Sequence, residues 1–418
     1  LQRRGIPAAC LHAGLDPARR QLALEQLRDA TLRLLYIAPE RLQGEATRQV
    51  LEGHARDGRL VALAVDEAHC ISAWGHDFRP DYRRLGAIRS LCPGVPMLAL
   101  SATAAPRVRA DIIRLLNLQR PLVQVSSARR HNLQYTMQRR PRDPMPLVLA
   151  ALKESRGAAL IYARTRRSVE AWAERLQGQN VSATPYHAGL DPQTRQQALK
   201  LFLEEERPVL VATVAFGMGV DRGDVGLVLH LDLPATPEGY LQESGRAGRD
   251  GNPAHCLVLF SPGDRTSLGW AMQASARNAG TMDDQRRLDL AQQQLRRMEA
   301  VAEGEMCREQ ALLLAVGELV DPCGRCDRCV ALPKRRDWTP QVETLLTHLA
   351  DQNGTDIRRL GEHLALHEPG RQDRWTWLAR RLVQEELIQE SNDGAQRLYL
   401  RDSGRRYLDS PWPLDYAA

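Results

Sequence analysis

His12-Ala-Gly-Leu-Asp-Pro17 recurs as His187-Ala-Gly-Leu-Asp-Pro192, at an offset of 187 − 12 = 175 residues. The same offset places the apolar run Leu34–Ala38 over Val209–Thr213, so a helical pattern followed by a buried strand occurs twice. Self-similarity of this kind indicates a duplicated structural unit. The chain is therefore predicted to contain two lobes of the same fold.

Short runs that are apolar on both faces alternate with helical patterns in both lobes. They are Leu60–Val65, Pro96–Leu100, Ala158–Tyr162, Val209–Val211, Leu227–Leu231 and Cys256–Phe260. Strands of this kind are typical of a parallel sheet covered by helices, which makes the predicted fold class α/β. Ligands bind such sheets at the carboxyl ends of the strands. Asp66 directly follows the first run, and Thr213 closely follows the fourth.

The composition is that of a basic protein with several domains. At 418 residues, the chain is long enough for about three domains of the usual size. The formal charge is +6, and arginine supplies 57 − 3 = 54 of the basic residues, which favours a polyanionic partner. No run approaches the roughly 18 apolar residues of a membrane span, so we expect a cytoplasmic location.

Two motifs supply the groups that nucleotide hydrolysis requires. Asp66-Glu67-Ala-His69 follows a strand, where Asp66 is suited to hold Mg²⁺ and Glu67 to orient or deprotonate a water. Arg246 and Arg249 lie three residues apart, on one face if the segment is helical, and both could contact a γ-phosphate. The alternative interpretations are a helix start that carries two acids, and a solvated helix face that carries two arginines.

No phosphate-binding loop accompanies these motifs. Such a loop requires Gly-Lys-Ser/Thr, and none of the three lysines, Lys153, Lys200 and Lys334, follows a glycine. The first residue is Leu1 rather than methionine. We therefore expect the sequence to be incomplete at its N-terminus, and this chain alone to hydrolyse ATP negligibly.

Five segments occur in an order that is specific to one family. They are Tyr36-Ile-Ala-Pro-Glu-Arg-Leu42, Asp66-Glu-Ala-His69, Leu100-Ser-Ala-Thr-Ala104, Ala212-Thr-Val-Ala-Phe-Gly-Met-Gly219 and Gln242–Gly251. With these segments the chain resembles the RecQ family of DNA helicases, and the resemblance covers essentially every residue present.

An aromatic-rich segment follows the acidic motif directly and discriminates this family from other helicases. It contains Trp74, His76, Phe78 and Arg79. Three rings and a guanidinium are costly on a loop unless they stack on bases or are buried. In RecQ helicases the matching loop senses single-stranded DNA and couples it to ATP hydrolysis. The alternative is that Trp74 and Phe78 belong to the core.

The resemblance implies roles for the motif residues, together with ATP, Mg²⁺ and Zn²⁺ as cofactors and DNA as partner. Catalytic roles are implied for Asp66, which also binds magnesium, and for Glu67, His69, Gln242, Arg246 and Arg249; nucleotide contacts are implied for Gly219 and Asp221, and a DNA contact for Thr213. Two RecA-like lobes, the first of them incomplete, and 3′-to-5′ movement are also implied. Arg129–Leu133 matches the family's link between the lobes, but His131 replaces its usual proline, so we expect a less stiff hinge.

Four of the eight cysteines, Cys307, Cys323, Cys326 and Cys329, lie close together in the sequence. This spacing in a cytosolic chain indicates a metal site rather than disulfides. Zinc takes four thiolates in a tetrahedron, whereas cysteines separated by two residues also suit an iron–sulfur cluster. The RecQ family has a matching zinc site, and all four of its cysteines are present here.

The C-terminal region is predicted to be a winged helix that binds duplex DNA. Helical patterns at Pro340–Gln352, Asp356–Ala365 and Arg371–Glu386 precede an alternating pair of strands around Asn392-Asp393-Gly394. The third helix carries Trp375 and Trp377 beside a set of arginines suited to phosphate contacts: Arg371, Arg374, Arg380 and Arg381. The predicted domains are therefore the first lobe at 1–126, the second lobe at 127–265, the zinc-binding module at 266–335 and the winged helix at 336–418.

These observations predict an ATP-dependent 3′-to-5′ DNA helicase of the RecQ type that acts in DNA repair and recombination. We expect it to act on single-stranded DNA and duplex junctions, and to associate with the bacterial nucleoid. One alternative is an RNA-stimulated helicase of the same broad class, which the aromatic loop and the cysteine site disfavour. The other alternative is a non-catalytic, zinc-stabilised DNA-binding protein derived from a helicase.

Overall fold

The computed structural model describes residues 1–72, 78–214, 216, 221–277, 282–331, 335–365, 372–391 and 395–417. The chain divides into two compact units. The first unit comprises residues 1–128 and 313–318, and the second comprises residues 129–312 and 319–418. The main division between the units falls at 128/129, and the domain boundaries predicted at 126, 265 and 335 stay predictions.

The first unit contains two parallel pairs of strands packed with helices. Its elements are β1 (Ala8–Leu11), α1 (Pro17–Arg28), β2 (Leu34–Ile37), α2 (Glu45–Arg56), β3 (Leu63–Val65), α3 (Pro80–Arg83), α4 (Gly86–Leu91), β4 (Met97–Ala99) and α5 (Pro106–Leu115). Strand β1 pairs with β2, and β3 pairs with β4. Ile71 and Leu116 lie fully buried in the core that α4 and α5 cover. The predicted strands at 60–65 and 96–100 are present but shorter.

The second unit contains a six-stranded, wholly parallel sheet in the order β5-β10-β9-β6-β8-β7. Its elements are β5 (Leu133–Arg139), α6 (Met145–Glu154), β6 (Ala158–Tyr162), α7 (Arg166–Gln177), β7 (Ala183–Tyr186), α8 (Pro192–Glu204), β8 (Val209–Ala212), β9 (Val225–His230), α9 (Pro237–Ser244) and β10 (Ala254–Phe260). Strands β6 and β8 are buried at every position, because helices cover both faces of the sheet.

The duplication predicted from the sequence is confirmed in three dimensions. Adding 175 to the bounds of β1 and β2 gives the bounds of β7 and β8, and adding it to those of α1 gives the start of α8 and an end one residue short of its last residue, Glu204. Asp16 and Asp191 occupy equivalent N-cap positions, where each carboxylate accepts hydrogen bonds from two main-chain N–H groups of the first turn. Proline follows each cap because the first helical residue needs no N–H donor. The repeated sequence is therefore a helix-start signal used once in each lobe.

The cysteine-containing region is helical. It comprises α10 (Pro262–Arg277), α11 (Met282–Glu303), α12 (Arg308–Ala315) and α13 (Asp327–Val330). Leu295 and Met298 of α11 belong to the same buried cluster as the second-lobe strands, so this module shares a core with the sheet.

The C-terminal region has the helices and strand pair expected of a winged helix. Its elements are β11 (Arg335–Asp337), α14 (Thr339–Asp351), β12 (Thr355–Asp356), α15 (Ile357–Ala365), α16 (Gln372–Gln384), β13 (Ile388–Glu390), β14 (Arg397–Leu400), α17 (Asp402–Asp409) and β15 (Asp415–Ala417). Strands β13 and β14 are antiparallel, and the predicted turn at 392–394 lies outside the described residues. Trp338 and Leu345 are almost fully buried in a core separate from that of the lobes. Among the residues that the structure describes, no helix is both long and apolar enough to cross a membrane.

Candidate functional site

The acidic motif lies at the carboxyl end of β3, as the sequence predicted. Glu67 adopts a left-handed backbone with φ of 48°, a conformation that is costly for this residue type and is concentrated at functional sites. The Asp66 carboxylate accepts a hydrogen bond from the Glu67 N–H at 2.9 Å. Buried His69 brings its Nδ1 within 3.3 Å of Glu67 Oε2 and 3.0 Å of Ser101 Oγ. The imidazole therefore connects the acidic motif of β3 to the segment that follows β4.

The aromatic segment begins directly after this histidine. Trp74 and His76 lie outside the described residues. Phe78 is half-buried, and the Arg83 guanidinium lies 4.9 Å from the centre of its ring. Arg79 is the N-cap residue of α3, and its N–H donates to the Cys70 carbonyl oxygen. The described end of the segment is thus attached by a main-chain hydrogen bond to the residue that directly follows the acidic motif.

The arginine pair of the second lobe lies on a turn rather than on a helix, which corrects the geometry expected from its spacing. Helix α9 carries Gln242 and ends at Ser244, and residues 245–250 form turns. Arg249 donates to Asp221 at 2.7 Å. Arg246 and Arg249 both line a small cavity against β6 and β9. The two arginines therefore lie beside the same cavity even though no helix aligns them.

The segment after β8 is described only in part. Thr213 is half-buried, and its N–H donates to the carbonyl oxygen of Tyr186 at the end of β7. Asp221 is exposed and forms the ion pair with Arg249, whereas Gly219 lies outside the described residues. Within what is described, Asp221 links this segment to the arginine turn.

Three motif side chains have buried polar atoms without a hydrogen-bond partner among the described residues. They are Thr103 Oγ1, Gln242 Nε2 and Arg246 Nε. Buried polar atoms in native proteins almost always have a partner, and each exception calls for an explanation. A bound phosphate group or nucleic acid would supply acceptors for the amide and the guanidinium. These atoms therefore fit a ligand-binding role for the motifs.

Sequence reasoning missed the buried residues on the sheet that contact α9. Buried His230 at the end of β9 contacts Glu243 Oε2 at 2.7 Å and stacks on Tyr162, with ring centres 4.8 Å apart. The Tyr162 hydroxyl donates to the carbonyl oxygen of Phe216 at 3.0 Å. A tyrosine and a histidine at strand ends gave no signal in the sequence that distinguished them from ordinary core residues.

The four cysteines form one cluster whose sulfur atoms all lie within 4.8 Å of one another. The Sγ atoms of Cys323 and Cys329 are 4.0 Å apart, and those of Cys307 and Cys326 are 3.9 Å apart. Tetrahedral zinc with Zn–S bonds of about 2.3 Å requires sulfur atoms about 3.8 Å apart. An iron–sulfur cubane places each cysteine on a different iron and requires wider spacing. The distances fit zinc and disfavour the cluster.

The surroundings of the cysteines are suited to thiolates. The Cys323 N–H donates to Cys307 Sγ at 3.2 Å, and the Arg308 N–H donates to Cys326 Sγ at 3.4 Å. The Arg308 side chain is fully buried and forms a two-oxygen contact with Asp327 at 2.9–3.2 Å. This ion pair joins the two segments that supply the ligands, so the sulfur atoms are held together by the protein itself.

The structure separates the arginines predicted to face duplex DNA. Arg374 is half-buried, with its guanidinium 5.6 Å from the centre of the Trp338 ring. Arg380 is 6% exposed, and its Nε lies 3.8 Å from Glu299 of α11. The prediction of a phosphate contact for Arg380 therefore does not hold in this conformation, because its charge is turned toward a buried carboxylate. Trp375 is also buried and belongs to the winged-helix core.

Three protein families match consecutive parts of the chain. Residues 2–112 match the DEAD/DEAH box helicase family, residues 144–251 match the helicase conserved C-terminal domain, and residues 262–330 match the RecQ zinc-binding domain. The third match covers the whole cysteine cluster, in agreement with the zinc assignment. The two parallel-sheet lobes are accordingly of the RecA-like helicase type.

Two bacterial relatives support the same family. The ATP-dependent DNA helicase RecQ of Pasteurella multocida is 35% identical over 87% of this chain and 55% of its own length. The ATP-dependent DNA helicase RecQ of Haemophilus influenzae is 31% identical over 100% of this chain and 69% of its own length. A solved structure of the Mycobacterium smegmatis helicase Lhr covers 97% of this chain and 50% of its own, with 17% identity and a TM-score of 0.49. The chain thus spans between about half and two thirds of the two RecQ relatives, and it belongs to the RecQ family of helicases.

Proposed function

We propose that this chain forms part of an ATP-dependent DNA helicase that moves 3′ to 5′ along single-stranded DNA and acts in DNA repair and recombination. The observation that carries the proposal is the contact of His69 with both Glu67 and Ser101, at 3.3 and 3.0 Å. A buried imidazole between the acidic motif and the next strand end provides a physical connection by which a change at one motif reaches the other. The direction of movement and the biological role rest on family membership.

The acidic and basic residues suggest a division of work in ATP hydrolysis. In our proposal the Asp66 carboxylate holds Mg²⁺, which offsets charge on the phosphates, and Glu67 orients the attacking water and accepts its proton. Arg246 and Arg249 stabilise the charge that develops on the transferred phosphoryl group. The ion pair of Arg249 with Asp221 at 2.7 Å supports this role, because an exposed pair is weak and a phosphate can displace the carboxylate. Gln242 and Gly219 complete the proposed nucleotide contacts.

DNA is the proposed polyanionic partner. Trp74, His76, Phe78 and Arg79 would stack on bases and contact the backbone of a single strand. Thr213 would contact the same strand, while Arg374 of α16 would contact duplex phosphates at a junction. A helicase of chromosomal DNA would reside with the nucleoid in the cytoplasm. The chain alone contains no Gly-Lys-Ser/Thr sequence, and we expect it to hydrolyse ATP negligibly by itself.

The test is DNA-stimulated ATP hydrolysis by the complete gene product that contains this chain. We expect single-stranded DNA to stimulate hydrolysis more than RNA does, and Glu67→Gln to abolish it. Glu174→Gln is the matched control, because Glu174 is exposed on α7. Trp74→Ala should retain basal hydrolysis and lose the stimulation.

Each alternative function gives a different result in this assay. Equal or greater stimulation by RNA would point to an RNA-stimulated helicase. Absence of hydrolysis by the complete wild-type product, with DNA binding and bound zinc retained, would refute the enzyme and leave a non-catalytic DNA-binding protein.

A further inference from the structure

The turn that carries Arg246 and Arg249 is held by two side chains, those of Arg130 and Asn132. Helix α9 ends at Ser244, and the turn that follows it presents main-chain carbonyl groups that belong to no helix or strand. The Arg130 guanidinium donates to the carbonyl oxygens of Gly245, Ala247 and Gly248, at 3.4, 3.2 and 2.6 Å. A positive charge at this end of a helix is also favoured by the helix dipole. One guanidinium therefore satisfies three oxygens of the arginine turn.

Asn132 adds a second contact to the same turn. Its side-chain Nδ2 donates to the main-chain carbonyl oxygens of Gly248 and Asn252, each at 2.7 Å. Its main-chain carbonyl oxygen accepts from the Ala254 N–H. Gly248 has φ of +53°, and a Cβ there would lie 2.5 Å from the Asn132 amide nitrogen. The close approach leaves no room for a side chain at Gly248, so only glycine allows the turn to pack this closely against Asn132.

The residues that hold the turn are themselves held by the cysteine loop. Arg325 lies between Cys323 and Cys326 and donates to the carbonyl oxygens of Arg130, at 2.9 Å, and Leu133, at 2.8 Å. Glu309, which is 2% exposed, accepts from Arg325 at 2.5 Å. Glu309 also accepts from Arg129 at 3.2 Å. A continuous set of charged hydrogen bonds thus runs from the metal-binding loop to the arginine turn.

We infer that the zinc-binding loop positions the Arg246/Arg249 turn through Arg325 and Arg130, so that Arg130 is a positioning residue for the arginine pair. The catalytic meaning of this inference rests on the proposed function, whereas the mechanical part does not. Arg325 holds the main chain of Arg130 through its hydrogen bond to the Arg130 carbonyl oxygen. Cys323 and Cys326, on either side of Arg325, would hold the zinc ion, and a zinc ion bound there would keep Arg325 in place.

The mechanical part can be measured by hydrogen exchange in the zinc-loaded chain. The N–H groups of Ala247 and Gly248 donate to Ser244 and Val225, at 3.0 and 2.9 Å, so their exchange reports opening of the turn. In Arg130→Lys, the single ammonium cannot reach all three oxygens, and we expect exchange at both amides to be about tenfold faster or more. Arg175→Lys is the control, because this half-exposed arginine of α7 pairs with Asp143 instead.

Arg325→Lys separates the relay from metal binding itself. We expect this variant to retain one zinc per chain and still show exchange at Ala247 and Gly248 raised about as much as in Arg130→Lys. Unchanged exchange in either variant, at full zinc content, would overturn the inference. If Arg130→Lys fails to fold, Asn132→Ser replaces it, with the same amides and the same expected direction.

Kinetics of the complete gene product separate this inference from the proposed function. We expect Arg130→Lys to lower kcat for ATP hydrolysis about tenfold with KM for ATP nearly unchanged, because it displaces groups that act on the transition state. If exchange is faster in Arg130→Lys but ATP hydrolysis is unimpaired in Arg249→Ala, the positioning stands and the role proposed for the arginine pair is refuted. Lower kcat in Arg130→Lys with unchanged exchange would refute the positioning and leave the helicase assignment standing.

Discussion

A buried ion network joins the winged helix to the helical module, and its central residue gives a quantitative prediction. Arg265 of α10 pairs with Glu299 of α11 at 3.0 Å and with Glu390 of β13. The exposed fractions of the three side chains are 11%, 7% and 4%. Glu299 also has Arg380 within 3.8 Å, whereas the pair with Arg265 is the one described ion pair of Glu390. We predict that Arg265→Met releases the β13–β14 hairpin.

The magnitude follows from the burial of the two carboxylates. Breaking a buried pair by removal of one partner costs about 3–5 kcal/mol, because the remaining charge is left uncompensated. Most of this cost falls on Glu390, since Glu299 keeps Arg380. At 1.4 kcal/mol per factor of ten, exchange of the β14 amides should be faster by about 10²- to 10³-fold if they open with the hairpin.

A double variant tests whether the charge is the cause. Arg265→Met/Glu390→Met removes both members of the pair and leaves Glu299 with Arg380, so we expect stability within about 1 kcal/mol of the wild type. The coupling between the two substitutions should therefore exceed about 2 kcal/mol in a double-mutant cycle. The control is Arg401→Met, which breaks the exposed pair with Glu386 in the same domain and should cost under about 1 kcal/mol.

Hydrogen exchange of Arg397–Leu400, followed by mass spectrometry in the wild type, Arg265→Met, Glu390→Met, the double variant and Arg401→Met, gives the required free energies. If the double variant exchanges as fast as the sum of its single substitutions predicts, the reasoning from uncompensated charge is refuted. The same conclusion follows if Arg265→Met differs from the wild type by no more than Arg401→Met does.

Three further perturbations have definite signs. Burial raises the pKa of the Glu238 carboxyl, so the folded protein binds a proton there more tightly than the unfolded chain does, and stability is lost as pH rises above the ordinary carboxyl range. Glu238→Gln should remove this loss of stability. The variant should therefore melt at a higher temperature than the wild type at pH 8 and show no gain at pH 4. Gly226→Ala would place a Cβ 1.9 Å from a main-chain oxygen in the six-stranded sheet and should cost about 1–3 kcal/mol or more in urea unfolding. Gly53→Ala on α2, where a Cβ would meet nothing within 4 Å, should instead stabilise by about 0.5–1 kcal/mol. Cys326→Ser should lose zinc, as measured by metal analysis, and should lower the melting temperature of the second unit, because structural zinc contributes directly to folding free energy. Full retention of zinc would contradict the ligand assignment.

The amino-acid sequence was sufficient for the architecture of the lobes. Asp16 and Asp191, each followed by proline, predict helix starts because capping depends on neighbouring residues only. The runs that became β6 and β8 predict buried strands because helices on both faces require apolar side chains in both directions. The cysteine spacing predicted the metal site because three of the four ligands lie within seven residues of one another. In each case the information is local in the chain.

Only the tertiary structure decided which side of each element a charged residue faces and what lies opposite. Arg374 and Arg380 are equivalent by sequence, yet Arg380 faces Glu299, which is 81 residues away, and is buried. Arg130 looked like part of a flexible link, but it holds the carbonyl oxygens of a turn 115 to 118 residues further on. A charge is buried only where distant segments supply its partner, because the cost of removing it from water is offset by that partner alone. Such pairings depend on contacts between segments that are remote in the sequence, and no local pattern encodes them.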